Sequence, residues 1–119
     1  MAFKLLIEKT DPSEFEYITD IEIKDNNGVS EIYASVVSGT YQGLDHISSP
    51  SEGLFKSLDG GLTWVQVLPN IASSEVPYSP SDIEITSNGD IFVGTMKNLQ
   101  GNGGSVILKS ENGNVDSCL

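Results

Sequence analysis

The chain has 119 residues, 38% of them apolar, which suffices for one domain with a modest core. Six lysines, no arginine and 17 acids give a net charge of −11 without any basic cluster. That balance argues against nucleic acid and anionic membranes, both of which need cationic groups at the contact, and no apolar run approaches the ~20 residues of a membrane span.

In chain order, Phe3-Lys4-Leu5-Leu6-Ile7-Glu8 reads as a short apolar strand. It does not carry the long apolar region and small-residue cleavage site of a signal peptide. Asp11-Pro12-Ser13 supplies turn chemistry. Tyr17 to Ile23 alternates nearly as a half-buried strand should, and Asp25-Asn26-Asn27-Gly28 follows as a hairpin turn. Glu31 to Val37 is the next strand. Gly39 to Glu52 is expected as a long loop, Gly53 to Lys56 as a strand, and Trp64 to Leu68 as a strand closing the unit.

The pattern then begins again. Asp20-Ile21-Glu22-Ile23 recurs 62 residues later as Asp82-Ile83-Glu84-Ile85. Asn27-Gly28 recurs as Asn88-Gly89, Ile32-Tyr33-Ala34-Ser35 as Ile91-Phe92-Val93-Gly94, and Phe55-Lys56-Ser57 as Leu108-Lys109-Ser110. Leu5-Leu6 matches Val67-Leu68 at the same offset. A recurrence on this scale is the mark of a repeat architecture. The reading is an all-β chain made of antiparallel four-stranded meanders A to D, with helical periodicity absent. Residues 1–16 hold strand D of a preceding unit plus a loop, 17–68 a complete unit, and 69–119 a second unit without strand D. The expected core is Ile21, Ile23, Tyr33, Leu54, Phe55, Trp64, Ile83, Ile85, Phe92 and Leu108.

The stretch Ser57-Leu58-Asp59-Gly60-Gly61-Leu62-Thr63-Trp64 joins two of these strands. Ser57, Asp59 and Thr63 can bond turn backbone, Gly60 and Gly61 can take positive φ, and Trp64 offers a large ring to anchor the turn. The pattern Ser-x-Asp-x-Gly-x-Thr-Trp, on Ser57, Asp59, Gly61, Thr63 and Trp64, resembles the Asp-box of the sialidase-like (BNR) repeat β-propellers. That resemblance implies two four-stranded propeller-type blades, a partial or oligomer-completed β-propeller, and a structural role for the box. In the second unit the box is degenerate: Asn112, Asn114, Asp116 and Ser117 stand where the family has Asp, Gly, Thr and Trp.

The same resemblance raises sialidase chemistry, in which arginines grip the substrate carboxylate through a guanidinium fork. A chain without arginine disfavours it. A xyloglucanase-like glycosidase would need two carboxylates across the scissile bond. Asp20 and Asp82 recur at one repeat position, which reads as structural. His46 beside Asp45 has no second histidine for a metal pair. Asp25-Asn26-Asn27-Gly28 lacks the acidic spacing of a calcium loop, and Lys97 to Gly104 lacks the Gly-Lys-Ser/Thr ending of a phosphate loop. The single cysteine, Cys118, cannot form an internal disulfide. No catalytic residue, metal or cofactor is assigned.

In a meander, successive connections alternate between the two ends. The long connections 9–16, 39–52, 69–81 and 97–104 therefore share one end, where loops over a rigid scaffold generally carry function. Tyr41, Asp45, His46, Glu75 and Tyr78 are the candidate contact residues there. The functional expectation is a non-catalytic scaffold or interaction module. The alternative is a fragment of a carbohydrate-active propeller of the xyloglucanase-like glycoside hydrolase kind. Expected partners are further copies of the chain or the remaining blades of a parent propeller, and a carbohydrate or peptide ligand. Localisation is not assigned from the residues; an extracellular or periplasmic parent is the expectation, in keeping with the acidic charge. Two blades cannot close a ring, since propellers use about 4–8. Head-to-tail exchange of Phe3–Ile7 into the next copy's A-B-C sheet would supply the lacking strand.

Overall fold

A computed structural model describes residues 17–46, 52–72 and 74–111. The chain is all-β, with nine strands and no helix among the described residues. In order they are β1 (Ile18–Asn26), β2 (Val29–Val36), β3 (Gly39–Tyr41), β4 (Leu44–His46), β5 (Gly53–Ser57), β6 (Val65–Gln66), β7 (Ser79–Ile85), β8 (Ile91–Met96) and β9 (Ile107–Ser110). β1-β2-β5-β6 form a four-stranded antiparallel sheet and β7-β8-β9 a three-stranded one. The expected strand at Phe3–Glu8, the degenerate box after Ser110 and Cys118 lie outside the described residues.

The turns follow their residue chemistry. Asn26 pairs with Val29, so Asn27 and Gly28, with φ of 53° and 88°, form a two-residue hairpin loop matched to strand twist. Residues 39–52 were expected as loop alone, but β3 and β4 form a second small hairpin there, turning at Gln42 and Gly43 with φ of 52° and 77°. Its Gln-Gly turn allows the same left-handed pair without the Asn-Gly signature. β6 is short because the Gln66 side chain takes over the ladder: its Oε1 accepts the N–H groups of Leu54 at 3.1 Å and Leu68 at 2.8 Å, and its Nε2 donates to the Glu52 carbonyl. Gly53 makes room for this at φ 123°, where a Cβ would collide with the Gln66 amide.

The two sheets repeat one another in detail. Each first strand carries a bulge at the same place, between Ile18 and Asp20 and between Pro80 and Asp82. Thr19 and Ser81 each set a hydroxyl against the carbonyl opposite, on Ser35 at 3.5 Å and on Gly94 at 3.2 Å. Lys56 stands over the Tyr33 ring at 5.8 Å and Lys109 over Phe92 at 5.9 Å. Lys56 pairs with Glu31 at 3.6 Å and Lys109 with Asp90 at 3.8 Å.

The core lies between the sheets. Tyr33, Leu54, Val67 and Leu68 of the first meet Ile83, Ile91, Val93 and Leu108 of the second. Tyr33, Leu54, Ile83 and Leu108 are buried as expected, whereas Phe55, Trp64, Ile85 and Phe92 are only half-buried. Ile21 and Ile23 are not core: they are 56% and 63% exposed. Registers explain the correction. Ile21, Ala34 and Phe55 lie across one face of the first sheet, and Glu22, Tyr33 and Lys56 across the other. The Tyr33 face is the one turned to the second sheet. The repeat counterpart of Ile21, Ile83, sits on the inward face of its own sheet and is fully buried.

Candidate functional site

Three groups of polar residues bear on function. The first is the turn at 57–64. Ser57 Oγ donates to Asp59 Oδ1 at 2.9 Å and accepts the Gly61 N–H at 2.9 Å. Asp59 accepts the Thr63 N–H at 2.8 Å and the Thr63 hydroxyl at 2.5 Å. Trp64 closes the turn by donating its indole N–H to the Gly61 carbonyl at 2.9 Å. The Thr63 hydroxyl first, then the Thr63 N–H, hold the Asp59 carboxyl down to about 2, with Ser57 and the Leu62 N–H adding to them. These bonds all run within the turn, from side chain to side chain and from side chain to backbone, which is a structural use of these residues.

The second group is the buried pair between the sheets. Glu31 and Tyr33 are almost wholly buried and Lys56 nearly so. Tyr33 donates to Glu31 at 2.9 Å and Asn26 donates to the other carboxylate oxygen at 3.0 Å. Burial works to raise the Glu31 carboxyl, but the hydrogen bonds from Asn26 and Tyr33 and the charges of Lys56 and Lys24 outweigh it and leave it below the usual range. Burial, then the bond to Glu31, pushes the Tyr33 hydroxyl far above its ordinary value. A carboxylate this fully engaged stabilises position rather than abstracting protons.

The third group forms a cleft of about 570 Å³, the size of many ligand sites. It lies where β2, β6 and β8 end and β5 and β7 begin, opposite to the hairpin and 57–64 turns. Ser38 and Glu52 come from the ends of the 39–52 connection, Ile71, Ser74 and Val76 from 69–81, and Asn98 to Gly103 from 97–104. Three of the four long connections expected at one end therefore line one cleft; the fourth, 9–16, lies outside the described residues. Asn98, only 8% exposed, organises its loop: Oδ1 accepts the N–H groups of Gln100 at 3.0 Å and Asn102 at 2.9 Å. Ser74 does the same for its turn, donating to the Ile71 carbonyl at 2.8 Å. The lining alternates amides and hydroxyls with Ile71, Val76 and Leu99, and Glu52 is its one carboxylate among the described residues.

The named contact candidates distribute unevenly. Glu75 is exposed on the 69–81 connection beside the cleft. Tyr78 is half-buried against the core cluster and so frames the connection from below. Tyr41 lies on β3, and Asp45 and His46 on β4. Sequence reasoning passed over Asn98, whose signal was the Asn-x-x-Gly spacing of a side-chain-capped turn. Among the described residues no group of three or more His, Cys, Asp or Glu could hold a metal ion. Comparison with protein-family models, with curated proteins and with solved structures finds no match.

Proposed function

We propose that the chain is a non-catalytic repeat scaffold of the Asp-box β-propeller kind, an interaction module working within a larger or self-assembled propeller. The observation that carries this is the recurrence in two consecutive sheets of one bulge, one threonine or serine hydroxyl set against the opposite carbonyl and one acid–lysine–aromatic set. The spent hydrogen bonds of the 57–64 turn support the structural role that the Asp-box resemblance implies.

The cleft over the connections is the recognition surface in this reading. Its amides, hydroxyls and aliphatic groups suit an uncharged, hydrogen-bonding ligand, a saccharide or a peptide segment. The glycosidase reading needs a second carboxylate about 5–9.5 Å from the first. Glu52 has no such partner among the described lining residues. The test incubates the chain with fluorogenic glycosides and titrates it by NMR with neutral oligosaccharides and with peptides. The expected result is no turnover and shift changes confined to 71–76 and 98–103. Turnover abolished by Glu52→Gln would replace this reading with the enzyme.

A further inference from the structure

The interface inside this chain has two halves, and the repeat counterpart of each half lies on an outer sheet face, where Ile21 is 56%, Ile23 63% and Ile107 75% exposed. Inside, the first sheet contributes Tyr33, Leu54 and Asp20, and the second contributes Ile83, Ile91 and Leu108. The repeat counterparts of the first set, Phe92, Ile107 and Asp82, lie together on the outer face of the second sheet. Those of the second set, Ile21, Ile32 and Phe55, lie on the outer face of the first. Exposure tracks this pairing: Leu54 is 3% exposed and Ile107 75%.

Resting on the repeat-scaffold reading, we infer that a second copy of this chain docks its outer Ile21–Phe55 face on the outer Phe92–Ile107 face of the first. The contact repeats the one between the two sheets. Inside the chain, the Asp20 carboxylate accepts the Ile83 N–H at 2.8 Å, and Thr19 donates to the Pro80 carbonyl at 3.0 Å. Across copies, the exposed Asp82 carboxylate accepts the N–H of Ile21 of the second copy, and the Ser81 hydroxyl turns from its own Gly94 carbonyl to donate to that copy's Ile18 carbonyl. The surfaces joined are different, so the contact is heterologous and propagates until a ring closes. Exposed apolar sheet faces with matching hydrogen-bond ends mark such association sites.

The test is complementation between two blocked forms of the full chain. Ile21→Lys with Ile23→Lys blocks one face, and Asp82→Lys with Ile107→Lys blocks the other. All four positions are exposed, so circular dichroism should show both forms folded; Ile21→Thr and Ile107→Thr replace them should lysine unfold either. Light scattering from roughly 1 to 100 µM should show the wild type oligomeric and each blocked form monomeric. Mixed, the two forms should make one discrete heterodimer, because each keeps the face the other needs. The apparent dissociation constant should weaken about tenfold or more when Asp82→Ala is the only change. A monomeric wild type, blocked forms that still associate, or a mixture that stays monomeric would each overturn the inference. None of these bears on glycoside turnover, which decides the scaffold reading separately.

Discussion

Asp59 shows how one side chain can set the acid limit of a turn. Its folded carboxyl is held at about 2 against an ordinary 3.8. A group whose folded value is depressed contributes stability above its unfolded value and loses it as pH falls toward the folded one. Thermal unfolding between pH 5 and 2 should therefore show a steeper fall for the wild type than for Asp59→Asn. Lys56 and Lys109 give a matched pair of a different kind. Both face an acid and an aromatic ring, but the Lys109 side chain is 36% exposed and that of Lys56 10%. Lys56→Met takes the ion-pair partner from buried Glu31 and should cost about 3 kcal/mol. Lys109→Met should cost less than about 1 kcal/mol, because water screens the exposed pair. Urea unfolding of both variants measures the difference.

Between elements, the junction of β1 and β7 holds the sheets together through side chain to backbone bonds. Asp20→Ala removes the acceptor of the Ile83 N–H and should cost about 1–3 kcal/mol, with faster hydrogen exchange at that amide. Glu22 sits at the same junction with the opposite sense. Burial, then the Asp20, Glu84 and Asp82 carboxylates, raise its pKa. A raised acid favours the folded state while protonated, and that contribution is lost as pH rises through the folded value. Glu22→Gln should thus raise the melting temperature at pH 7 and leave it unchanged near pH 4. A melting curve at each pH decides it.

Over the whole molecule, one repeated sequence meets two environments. Ile83→Ala empties a core position and should cost about 2–5 kcal/mol. Ile21→Ala, at the same repeat position, should change stability by less than about 0.5 kcal/mol when read at dilutions where the chain is monomeric. The net charge of −11 acts between copies as well. Apolar faces carried on like-charged bodies attract better when salt screens the repulsion beyond about 10 Å. Association should therefore strengthen between low and moderate salt, as sedimentation at fixed protein concentration would show.

Local chemistry made much of this chain readable in advance. Asn27-Gly28 specified its hairpin because few residues accept two consecutive positive φ values. Ser57, Asp59 and Thr63 specified their turn because short polar side chains reach only nearby backbone. The 62-residue recurrence announced two units, and strand alternation placed the long connections at one end. What alternation could not say was which face of a strand would be covered. A period of two groups Ile21 with Ile23 and Ile83 with Ile85 alike, and it is unchanged when the faces are exchanged. Burial depends on the neighbour, and only tertiary packing supplied one to Ile83 and not to Ile21. The same reason hid the cleft. Ser38, Ile71 and Asn98 belong to three separate connections, and nothing in their own surroundings in the chain records that folding brings them to one wall.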